Sequence, residues 1–258
     1  MALADGTDEQ SRAMTAAGAA CASRPAFKRY FFVVMASITI VVAFVGFAPS
    51  FYLRPAFEPE TRLSIVLQIH GAVFSTWLIL LLVQAVLIVR GSRDLHRRLG
   101  WFAAAIAAAM VALVAAATVE EMQRIPPSPP PPIALALNTF DMVAFAVLVS
   151  SAIALRKQAE WHKRLLLSAT LVLTGAPILR LLMRAAGHVS HQLLVADVLL
   201  VDLFLLVCFA WDLRARHKIH PAYLYAGVLI AADQVTTFSV MAWPPWIAFA
   251  NAVQRLVS

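Results

Sequence analysis

The stretch SIVLQIHGAVFSTWLILLLVQAVLIV, residues 64–89, holds no Asp, Glu, Lys or Arg and stops at Arg90. As a helix rising ~1.5 Å per residue it is long enough to cross about 30 Å of hydrocarbon. Lipid offers no partners to backbone N–H and C=O groups, so a segment of this kind must satisfy them internally, as a helix does. Working outward, the same reading recurs at residues 30–50, 99–119, 133–155, 165–185, 192–213 and 221–242. The expectation is an all-α polytopic membrane protein, a bundle of seven transmembrane helices.

Composition agrees. The chain has 258 residues, is 61% hydrophobic and only 14% charged, with mean hydropathy +0.78. A water-soluble domain with so few charges would expose too much apolar surface. Seven spans over residues 28–243 leave no length for a separate soluble domain. Residues 1–27 are small, polar and aperiodic, the composition of a disordered tail. Residues 244–258 follow the breakers Pro244 and Pro245 and read as a short interfacial amphipathic helix. Trp246, Phe249, Val253 and Leu256 are placed towards lipid in that helix, and Asn251, Gln254 and Arg255 towards water. Pro126–Pro132, broken by Ser128, reads as a stiff polyproline spacer.

The net charge of +7 does not indicate nucleic acid, because the bases are not gathered into one domain interleaved with aromatics. Fifteen of the 21 Lys and Arg fall in the tail and in the loops after the second, fourth and sixth spans. By the positive-inside rule the N-terminus is cytoplasmic and the C-terminus outside. The expected location is the bacterial inner (cytoplasmic) membrane, multi-pass, with the lipid bilayer as the first partner. Cys21 and Cys208 give neither a disulfide framework nor a zinc pattern.

Three of the basic turns are alike. Asp94-Leu95-His96-Arg97-Arg98-Leu99 parallels Glu160-Trp161-His162-Lys163-Arg164-Leu165, and Arg216-His217-Lys218-Ile219-His220 follows more loosely. A carboxylate and a His before two bases can simply cap a helix and anchor it at head groups. Alternatively, His96 and His162 face each other on the cytoplasmic side and share a metal, a haem iron or a proton.

The run Ile69-His70-Gly71, the turn Leu95-His96-Arg97-Arg98-Leu99-Gly100, and Trp161-His162-Lys163-Arg164-Leu165 with Leu179-Arg180-Leu181 resemble a bacterial family of multi-pass membrane proteins of unknown function. The resemblance spans residues 64–182. It implies a fold of seven or so membrane helices and singles out His70, His96, His162 and Arg180. It implies no activity, and His220-Pro221-Ala222-Tyr223 lies outside it.

Ionisable residues within spans carry the functional expectation, since each costs about 2.5–3.5 kcal/mol at a helix centre. His70, Asp141, Arg180, Arg184, Asp197, Asp202 and Asp233 all fall in the outer parts of their spans, on five helices. They are expected to turn inward and pair. Four acids against two guanidiniums and one imidazole leave at least one acid without a strong cation, the setting in which a carboxyl group keeps its proton. Asp197 and Asp202, five residues apart, point ~140° from each other at ~100° per residue and cannot share one tight site. The ligand or proton pocket is therefore expected at His70, Asp141, Arg180, Arg184, Asp202 and Asp233. Pro177 is expected to kink the fifth span by removing a bond to the Leu173 carbonyl.

The function expected first is proton-linked binding or transport of a small periplasmic solute. A second reading is a membrane redox protein of the haem b or quinone type, with His96 and His162, or His70 and His191, as axial ligands. A third is a non-catalytic assembly or scaffold protein in which the charges only lock the bundle. No three ligands converge in sequence for a zinc hydrolase, and the seventh span has no lysine for a retinal Schiff base.

Overall fold

The computed structural model describes residues 26–57, 62–122 and 130–257. The polar tail expected over 1–27 falls outside these residues except at its last two positions, and so do residues 126–129 of the proline run. The described residues form helices α1 (Ala26–Phe47), α2 (Arg54–Phe57), α3 (Ile65–Val89), α4 (Arg93–Met122), α5 (Pro131–Ala154), α6 (Ala159–Val172), α7 (Gly175–Ala186), α8 (His191–Arg216), α9 (Pro221–Met241) and α10 (Pro244–Val257), with no strand among them. A π-helical turn, Ala48–Tyr52, extends α1, and α6 and α7 together make one span. Seven segments are long and apolar enough to cross a membrane.

Local sequence explains most of the ends. The Ser64 and Ser190 hydroxyls accept the N–H groups of Leu67 and Leu193, capping α3 and α8. Pro131 and Pro221 open α5 and α9, where a missing N–H costs nothing. Gly187 ends α7 in the left-handed region, φ 75°.

The basic turns are shorter than expected from sequence. The third span starts at Arg93 rather than 99, the fifth at Ala159 rather than 165, and the sixth runs to Arg216 rather than 213. Asp94 and Glu160 sit in first turns, where the helix dipole favours an acid. Arg and Lys stems reach head groups without unwinding the helix. The bases that look like loop residues are therefore helix ends.

The α6–α7 span is central, and about two-thirds of it is buried, more than any other. Leu165 and Leu167 through Val172 are all buried, as in a helix surrounded by others. Around it α3 packs on α4, α4 on α5, α5 on α6, α9 on α5 and α6, α7 on α8, and α1 on α3 and α7. Trp77 ties α3 to the centre by donating from Nε1 to Thr170 Oγ1 at 3.1 Å. The outer surface is apolar at Ile79, Leu199, Val228 and Val235, all more than half exposed, as a lipid-facing surface must be.

Helix α10 departs from the expected lipid-facing arrangement. Trp246 turns to the bundle, donating from Nε1 to the Pro132 carbonyl at 2.9 Å and lying beside Phe140. Ala250 is fully buried, and Phe249 and Leu256 remain exposed. A Trp with an accessible backbone acceptor gains more from the protein than from hydrocarbon.

Pro177 does divide the fifth span: helix stops at Val172 and resumes at Gly175. The Thr174 hydroxyl donates to the Leu171 carbonyl at 2.5 Å within the break. Helix α1 crosses at this point through Gly46, where a Cβ would lie 2.5 Å from both Cβ and the carbonyl oxygen of Pro177. Those atoms belong to a rigid ring and backbone and cannot rotate away. Gly46→Ala is therefore expected to destabilise the protein by about 1–3 kcal/mol, although alanine is the better helix former. The check is the thermal midpoint of the detergent-purified protein, and a rise instead of a fall would contradict the packing.

Candidate functional site

At the end of the bundle opposite the basic turns lies a cavity of about 140 Å³. The π-helical turn shapes one wall. Pro49 has no N–H to continue α1, the Leu53 N–H reaches the Ala48 carbonyl at 2.7 Å, and Phe51 and Tyr52 are brought over the cavity. The Tyr52 hydroxyl meets Ser75 Oγ at 2.7 Å, fastening this turn to α3. Gly71 permits the approach, since a Cβ there would overlap the Phe51 ring. Helix α3 contributes His70, its ring 4.2 Å from that of Phe74 and tilted by 33°, and α5 contributes Asn138. Helix α7 contributes Arg180, whose guanidinium lies over the Phe47 ring at 5.3 Å.

The intramembrane acids lie beside it. Asp141, Asp197, Asp233 and Gln234 line a cavity of about 30 Å³, and Asn138, Asp141, Arg180 and Asp197 line another of about 50 Å³. Arg180 thus borders both the large cavity and the acids. Asp141 and Asp233 line the same small cavity, so their carboxyl groups are neighbours. Two carboxylates so placed repel unless one of them holds a proton. Asp197 Oδ1 and Asp233 Oδ1 are buried without a hydrogen-bond partner among the described residues.

Of the six residues expected in the pocket, His70, Asp141, Arg180 and Asp233 are brought together around these adjoining cavities. Arg184 and Asp202 line none of the three. Arg184 is exposed, one turn further out, with its guanidinium over Phe57 at 5.4 Å. Asp202 accepts from Gln234 Nε2 at 2.9 Å. Asp197 is present in its stead, facing Gly175, where a Cβ would stand 3.3 Å from its Oδ2.

A second charged cluster, not expected from the sequence, lies at the basic end. Arg164 and Asp212 form a two-pronged pair, Nε to Oδ2 at 3.0 Å and Nη2 to Oδ1 at 2.5 Å, with side chains 3% and 0% exposed. Arg164 Nη1 also donates to Glu160 Oε2 at 2.5 Å, and Lys163 and Arg216 reach the same Glu160 carboxylate at 2.6 Å. The His220 N–H donates to Asp212 Oδ2 at 3.0 Å, fixing the α8–α9 turn. The signal was present: an acid in the last turn of a helix opposes the helix dipole unless a cation meets it.

Next to this cluster, His220 caps α9 in an uncommon way, its Nδ1 accepting the Ala222 N–H at 3.1 Å. Burial holds the imidazole below its ordinary value of 6.5, and Arg164 and Arg216 push the same way against Asp212 and Glu160. The folded state therefore keeps it neutral while the unfolded chain protonates. Its contribution is full above about pH 6.5 and is lost as the pH falls below that. Between pH 7.5 and pH 5 the wild type is expected to lose more stability than His220→Asn, which caps without titrating. Parallel unfolding midpoints for the two proteins across that range would contradict the assignment.

His96 and His162 do face each other, with ring centroids 6.5 Å apart and planes at 87°. The His162 Nδ1 contacts the Ala152 carbonyl at 2.8 Å, and His96 Nδ1 is buried without a hydrogen-bond partner among the described residues. Neither ring borders the three cavities above, so the pair has no porphyrin-sized space in them. The other axial pair is not assembled: His191 packs on Phe238, and no residue of α8 or α9 lines the cavity of His70. Among the described residues no three His, Cys, Asp or Glu are grouped to hold a metal ion. Comparison of the chain with known protein families, with curated proteins and with solved structures finds no match.

Proposed function

We propose that the protein binds a small solute in the Arg180–His70 cavity and couples that binding to a proton on the neighbouring acids, at the periplasmic side of a bacterial inner membrane. The observation that carries this reading is that Arg180 borders both spaces. Its guanidinium is the charge that a solute and Asp197 both seek. Asp141 and Asp233 share a resident proton, and Asp197 is the acid left towards Arg180. A solute that engages Arg180 lowers the positive potential at Asp197 and favours its protonation. Binding of the solute and uptake of a proton are then one event, the elementary requirement of proton-linked transport.

Infrared spectroscopy of the purified full-length protein near neutral pH tests the resident proton without any solute. A C=O band of protonated carboxyl is expected in the wild type and is expected to disappear in Asp141→Asn and in Asp233→Asn. A wild type with no such band, or a band indifferent to both substitutions, overturns the reading.

A further inference from the structure

We infer that the solute is a small monocarboxylate with an apolar body about one ring in size, an inference that rests on the binding reading above. Size sets the first limit. An apolar cavity of roughly 150 Å³ holds one benzene, and the present one measures about 140 Å³. The walls set the second. Phe47, Phe51, Phe74, Trp77, Leu78 and Val114 surround it, and surfaces of this kind take hydrocarbon.

The hydroxyls around the cavity give the third limit, because most are already engaged. Thr39, Ser75, Thr118, Thr170 and Thr174 each donate to a carbonyl three or four residues earlier, at Ala36, Gly71, Val114, Leu166 and Leu171. A sugar or polyol entering here would lose its hydrogen bonds to water and find few replacements, at a cost of about 1–3 kcal/mol for each group left unpaired. Polyhydroxylated solutes are therefore disfavoured.

Charge gives the fourth. Among the described residues no Asp or Glu lines the cavity, and of those that line it Arg180 alone is always ionised. A cation finds no counter-charge, whereas a single anionic group does. The planar guanidinium fork suits a carboxylate, and the Asn138 amide and the His70 ring border the same space. Among the described residues, the titratable groups that border the cavities of Arg180 or lie just beyond them are His70, Asp141, Asp197 and Asp233, with Asp202 held by Gln234. An anion on Arg180 is thus accompanied by acids able to take the proton that keeps the site neutral.

Titration calorimetry on the full-length protein in detergent at pH 7 tests the class, with benzoate, benzamide, acetate and benzylamine as probes. Benzoate is expected to bind, with benzamide, acetate and benzylamine each at least about tenfold weaker, the worth of one charged hydrogen-bonded contact or of the ring. Arg180→Gln is expected to weaken benzoate by about tenfold or more, Arg180→Lys to recover part of it, and Arg93→Gln, at the opposite end, to change nothing. Benzamide or benzylamine binding as tightly as benzoate, benzoate indifferent to both Arg180 substitutions, or no binding by any probe overturns the inference. If the carboxyl band of the previous test behaves as expected while benzoate does not bind, the proton-holding reading stands and the solute class falls. Benzoate binding through Arg180 in a protein without that band gives the reverse.

Discussion

Asp212→Asn is expected to destabilise the folded protein by about 3–5 kcal/mol. The substitution keeps the shape of the side chain and, through its amide oxygen, can still accept the His220 N–H. What disappears is the charge opposite Arg164, whose side chain is only 3% exposed. The remaining partner, Glu160, is 47% exposed and already shared with Lys163 and Arg216. It cannot neutralise a guanidinium that far inside. Arg164→Met should cost a similar amount by leaving Asp212 buried with no cation. The pair itself contributes much less than either loss suggests, because two desolvated ions largely offset their own attraction. The double variant Arg164→Met/Asp212→Asn is therefore expected to be more stable than either single variant, with a coupling energy of at least about 2 kcal/mol. Reversible unfolding of the four proteins in mixed detergent gives the cycle. Additive losses in the double variant would mean that the pair is not the reason for either cost.

The seven spans were legible because lipid imposes a severe filter: helical length without charge leaves little else to consider. The basic ends were misjudged by up to six residues because Arg and Lys are compatible with helix at a head-group surface, so their presence does not mark where helix stops. The same habit hid Arg164 and Asp212. Each reads as one more interfacial charge, and only packing shows that Arg164 turns inward to meet an acid from a helix far along the chain. In the outer site, depth was readable and rotation was not. His70, Asp141, Arg180 and Asp233 met at a common depth. Between Asp197 and Asp202, five residues apart on α8, geometry required that one turn away, but the choice depended on α7. Gly175 leaves space opposite Asp197, and Asp202 finds Gln234 instead. Arg184 stands one turn nearer the surface than Arg180, where a guanidinium can reach outwards over Phe57 rather than inwards.

Asp197→Asn is expected to abolish the pH dependence of solute binding. If one proton is taken up with each anion, affinity in the wild type should fall about tenfold for each pH unit above neutral, or about hundredfold between pH 7 and pH 9. Benzoate stays ionised over that range, and it lies above the one in which an ordinary histidine titrates, so neither supplies the effect. The asparagine is neutral at every pH and stands in for the protonated acid. The variant should therefore bind at pH 9 about as tightly as the wild type binds at pH 7, with a flat profile. Asp202→Asn, outside the three cavities, should keep the wild-type slope. Calorimetry in two buffers of different ionisation enthalpy counts the proton directly: about one per benzoate in the wild type and in Asp202→Asn, and none in Asp197→Asn. If the slope survives in Asp197→Asn, the exchanged proton resides elsewhere. If the slope is already flat in the wild type, the solute enters alone, and the acids around Arg180 hold the helices together without moving a proton.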